Sequence, residues 1–87
     1  MIIKKLSACS QFTAGDKSIL REILNPIKTT LPIPYSLAHA SVKPGNKTLA
    51  HRLKTSEVYY IIEGSGIMHI DNESETVSAG DSIVIPP

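Results

Sequence analysis

The stretch HRLKTSEVYYIIEG, His51 to Gly64, decides how the chain is read. It sets a histidine six residues ahead of a glutamate across a polar run, then passes directly into aromatic and β-branched residues that suit a pleated strand. Side chains alternate along a strand, so Glu57, Tyr59 and Ile61 share one face of EVYYIIE while Val58, Tyr60 and Ile62 share the other. The same alternation puts His51 and Leu53 on one face of a strand expected over KTLAHRL, residues 47–53.

Short extended segments continue on both sides. Upstream, YSLAHASV reads as a strand on which His39 shares a face with Leu37 and Ser41, and KPGN follows as a turn. Downstream come a GSG turn, the strand IMHID, a turn over NESE, a short strand in TVSAG and a last strand in DSIVIPP. Short strands at this spacing, punctuated by Gly, Pro, Asn and Ser, predict an all-β sandwich or barrel. Nearer the start, Ile19, Leu20, Ile23 and Leu24 would fit a helical face, but the segment offers only about two turns before Pro26, so a strand is expected there. KTTLPIPYS reads as an extended connector, because its two prolines remove donors. Residues 1–34 are thus expected to be an N-terminal extension with the first strand or strands, and residues 35–87 the barrel.

Composition narrows the function classes. At 87 residues the chain is one domain with a modest core, and 41% hydrophobic with 20% charged residues is too apolar for a disordered chain. A net charge of +1 from scattered Lys and Arg gives no footprint for nucleic acid. Cys9 stands alone, which rules out an intrachain disulfide and suits a reducing, cytoplasmic setting. The longest apolar runs fall well short of the roughly 18 residues of a membrane helix, so no membrane partner is expected.

The spacing of Gly45, His51, Leu53, Glu57 and Gly64 resembles the first motif of the cupin family, in which a second histidine stands where this chain has Leu53. Gly80 to Pro86 resembles the start of the family's second motif, and EVYYIIEGSG with GDSIVIPP is similar to small cupins and to the C-terminal region of mannose-6-phosphate isomerases. The resemblance implies a double-stranded β-helix, or jelly-roll barrel. The second motif breaks off at Pro87, so the barrel is expected to be incomplete at its C-terminus, either as a fragment of a longer protein or through strands donated by a second copy.

The resemblance further implies a divalent transition metal (Zn, Mn, Fe, Ni or Cu) held by histidines and the glutamate. Two of the four family positions persist, His51 and Glu57. His39 is a substitute third ligand if it faces inward, making a triad of His39, His51 and Glu57. The competing reading is a hydrogen-bonded His51–Glu57 pair with no metal. Tyr59 and Leu53 are the pocket candidates, His69 is expected at the surface, and DNESE reads as a solvated acidic turn. Two functions follow: a metal-dependent cupin enzyme of isomerase, dioxygenase or lyase type acting on a small polar or sugar-like metabolite, or a non-catalytic binding or structural cupin that has lost its metal. The outward apolar residues Val58, Tyr60 and Ile62 predict a homodimer.

Overall fold

The structure, a computed structural model, describes residues 1–49 and 52–87. The chain divides into two compact units, Met1–His51 and Arg52–Pro87.

In the first unit a single 3-10 turn at Leu6–Ala8 precedes β1 (Gln11–Thr13), β2 (Ile19–Leu24) and β3 (Leu37–Ser41), which form an antiparallel sheet in the order β1-β2-β3. The ILREIL segment is extended and not helical. It is the central strand, paired on both sides, and every one of its residues is half-buried. The β1–β2 turn closes on itself. The Ala14 N–H donates to the Ser18 carbonyl and the Lys17 N–H to the Ala14 carbonyl, both at 2.9 Å. The Asp16 carboxylate accepts from the Ser18 N–H at 3.0 Å and from its hydroxyl at 2.6 Å, an aspartate turn that makes Ser18 the buried residue among those described. The proline-bearing connector between β2 and β3 carries no strand, as its missing donors require. Past β3, the Asn46 N–H donates to the Lys43 carbonyl at 3.0 Å with Gly45 at φ 80°, the backbone of a type II turn with Pro44 at its first corner.

The strand expected over residues 47–53 is not found in its described part. Residues 47–49 and 52–53 are irregular, while Ala50 and His51 lie outside the described residues. The Leu49 N–H donates to the Asp16 carbonyl at 2.8 Å, which ties this segment to the β1–β2 turn instead of to a ladder.

In the second unit β4 (Glu57–Tyr60) pairs antiparallel with β7 (Ser82–Ile85), and β5 (Ser65–Ile70) with β6 (Glu73–Ser78). Chain-distant β4 and β7 therefore bracket the β5–β6 hairpin. Bonds from the Ile61 N–H to the Asp81 carbonyl (2.9 Å) and from the Gly80 N–H to the Ile61 carbonyl (2.7 Å) extend the bracket, with Gly80 at φ 93°. The turn expected over NESE is corrected. The hairpin turns on Asp71 and Asn72 alone, and β6 begins at Glu73, longer than the short strand expected in TVSAG. Asp71 adopts φ 51°, the positive value with which a primed two-residue hairpin turn begins and which aspartate tolerates. Half-buried apolar side chains of this unit are Ile61, Met68, Ile70, Val77, Ile83 and Ile85; among the described residues of the chain no apolar side chain is fully buried.

Candidate functional site

Register places the residues of β4. Glu57 stands opposite Ile85 and Tyr59 opposite Ile83, so these four share one face, while Val58 opposite Val84 and Tyr60 opposite Ser82 share the other. Exposure tells the faces apart. Glu57, Ile83 and Ile85 are half-buried and Tyr59 is 36% exposed, against 68% for Val58, 64% for Tyr60 and 71% for Val84. The alternation read from EVYYIIE holds over the four residues that form β4, with Glu57 and Tyr59 together on the more covered side, while residues 61–63 lie beyond the strand.

Ile83 also belongs to a groove of about 450 Å³ within this unit. Consecutive residues of both β6 and β7 line it, Glu73 to Val77 and Ser82 to Val84. A strand face would contribute only alternate residues, so the groove runs along strand edges and offers main-chain polar groups as well as side chains. Met68, Ile70, Val77 and Ile83 give it an apolar floor, and Glu73, Glu75 and Asp81 supply carboxylates. Asp81 also accepts the Ser78 N–H at 2.8 Å, which fixes its side chain at the start of β7. Sequence reading passed over Glu73 and Glu75 by treating DNESE as a solvated turn. The usable signal was Glu73, Thr76 and Val77 as a continuation of hairpin pairing beyond a two-residue Asp-Asn connection.

The other sequence-derived candidates are distributed. His39, in the first unit, is half-buried on β3 and stands directly across from Arg21 of β2. Arg21 donates from Nη1 to the Leu6 carbonyl at 3.4 Å. Leu53 is 44% exposed in an irregular segment. His51 lies outside the described residues, and with it the His39, His51, Glu57 triad and the His51–Glu57 pair. His69 is exposed, with Nδ1 2.8 Å from the Ser74 hydroxyl across the hairpin, as a surface histidine would be.

A metal needs several convergent donors, and the described ones do not supply them. No group of three or more His, Cys, Asp or Glu side chains among the described residues is arranged to hold an ion. Leu53 has no donor atom, and the residue directly across from His39 on β2 is Arg21, which is not a metal ligand.

A cupin-domain family profile matches residues 38–87. The chain belongs to the cupin family. Its strands, with no α-helix among the described residues, are those of an all-β cupin, as expected from the motif spacing. An uncharacterized protein of Methanocaldococcus jannaschii is 51% identical to this cupin over 77 residues, covering 87% of the chain and 61% of the archaeal protein. The chain thus spans about three fifths of that relative's length. No solved structure matches significantly. No helix among the described residues is long and apolar enough to cross a membrane.

Proposed function

We propose that this cupin binds a small, hydroxyl-rich, sugar-like molecule in the groove beside the Glu57–Tyr59 face. The observation that carries this reading is the groove itself. Its volume falls in the range of small-molecule sites, its floor is apolar, and its rim carries three carboxylates beside the hydroxyls of Ser74, Thr76 and Ser82. Ionised carboxylates accept hydrogen bonds and donate none, so they select ligands rich in O–H or N–H donors, while the floor takes the C–H face of a ring. The likeness of EVYYIIEGSG and GDSIVIPP to the mannose-6-phosphate isomerase region supports the same ligand class. Tyr59 adds an aromatic face with a polar tip on the side shared with Glu57 and Ile83.

The test is a ¹⁵N NMR titration of the 87-residue chain with neutral monosaccharides. Saturable shifts confined to residues 68–84, weakened by the Glu73→Gln, Glu75→Gln double variant, are expected. No saturable shift in that segment at any soluble concentration would reject the reading.

A second reading rests on His51 and Glu57 standing at two family ligand positions: a divalent transition metal held with the help of His39, and an enzyme built on it. Elemental analysis of purified protein decides between the two. We further propose a cytoplasmic homodimer, on the strength of the lone Cys9 and the exposed apolar face of β4.

A further inference from the structure

The first unit holds a second concavity, of about 210 Å³, at the end of its sheet where the two turns meet. Its floor is one cross-strand row. Thr13 of β1 pairs with Ile19 of β2, and Ile19 with Ser41 of β3, so two hydroxyl side chains flank an aliphatic one on the same face of the sheet. Its rim is basic and amide-bearing: Lys17 from the β1–β2 turn, and Lys43 and Asn46 from the type II turn after β3. Neither lysine ammonium is engaged in an ion pair among the described residues.

The nearby charges leave a positive balance. Within residues 13–19 and 41–47 stand Lys17, Lys43 and Lys47 against Asp16. The Asp16 carboxylate is turned onto its own loop by the two bonds from Ser18 at 3.0 and 2.6 Å. Lys17 is also held at φ 71°, a costly conformation for a residue with a Cβ, where glycine would serve the turn better.

We infer that the concavity formed by Thr13, Lys17, Ser41, Lys43 and Asn46 binds a phosphate group, free or as a small ester. Two ammonium charges match a dianion, and the hydroxyl and amide donors can satisfy the remaining oxygens of a tetrahedral group. This site lies wholly within Met1–His51 and does not depend on the groove of the other unit.

The experiment is a ¹⁵N NMR titration of the chain with inorganic phosphate and, separately, with glycerol phosphate, each against sodium chloride at equal ionic strength. Expected are saturable shifts at residues 13–19 and 41–46 with either phosphate and not with chloride. Tighter binding of glycerol phosphate assigns the site to an ester; equal binding assigns it to the free anion. Lys17→Gly keeps the turn, because glycine accepts the positive φ, and Lys43→Gln removes the second charge. Each is expected to weaken phosphate binding by about tenfold, roughly the worth of one charge-assisted hydrogen bond, whereas Lys54→Gln leaves it unchanged. Shifts spread over all lysines, equal effects of chloride, or undiminished binding in both variants would overturn the proposal.

Discussion

At the scale of single residues, Glu22 shows what a surface charge contributes. Lys28 donates to its Oε2 at 3.1 Å and Asn25 to its Oε1 at 2.6 Å, and these bonds, Lys28 first, hold its carboxyl below the ordinary carboxylate range. A depressed folded-state pKa contributes stability that is present above the unfolded value and lost as pH falls through the folded one. Glu22→Gln should therefore reduce stability near neutrality, by less than about 1 kcal/mol because the Lys28 end of the pair is largely exposed to solvent, and the difference from wild type should vanish at strongly acid pH. Urea unfolding at the two pH values measures it. Leu53 is the residue on which the metal reading turns. Leu53→His restores the family's spacing beside His51 and Glu57, so zinc affinity by calorimetry should rise at least about tenfold if those two positions act as ligands; no gain would sink the metal reading.

Turn chemistry dominates at the scale of elements. Gly45 and Gly80 adopt φ values of 80° and 93°, which cost a residue bearing a Cβ about 1–2 kcal/mol. No atom lies within 4 Å of where a Cβ would stand at Gly45, so Gly45→Ala tests backbone strain without steric overlap. A loss of that size in chemical denaturation is expected, with an unchanged denaturant dependence. The elements also show where local reading ran out. The ILREIL segment carries a residue pattern compatible with either helix or strand, and its pairing with both β1 and β3 makes it a strand. NESE is rich in turn-formers, yet the two-residue Asp71–Asn72 connection leaves Glu73 and Ser74 free to pair with Ile70 and His69.

The whole-molecule question is what covers the apolar side of β4 and β7. Val58, Tyr60, Ile62 and Val84 are each more than three-fifths exposed. A contiguous apolar face of this kind is what partner surfaces are made of, and a two-fold pairing of like faces would bury it. Light scattering at high micromolar concentration should give the mass of a dimer, and Val58→Glu with Tyr60→Glu should return it to that of a monomer. A monomeric wild type would reject the homodimer.

Much of this protein was legible in local sequence. Alternation in EVYYIIE sorted Glu57 and Tyr59 from Val58 and Tyr60, Pro44–Gly45 specified its turn, and the spacing from Gly45 to Gly64 marked the cupin family, because side-chain direction, backbone φ and motif spacing are properties of neighbouring residues. Only the tertiary structure decided that β7 returns to pair with β4, that Arg21 faces His39, and that Glu73, Glu75 and Asp81 rim one groove. Those outcomes depend on which distant strand edges meet, and hydrogen-bonding edges are alike in every strand, so the choice is made by packing of the whole chain and not by the residues of any one segment.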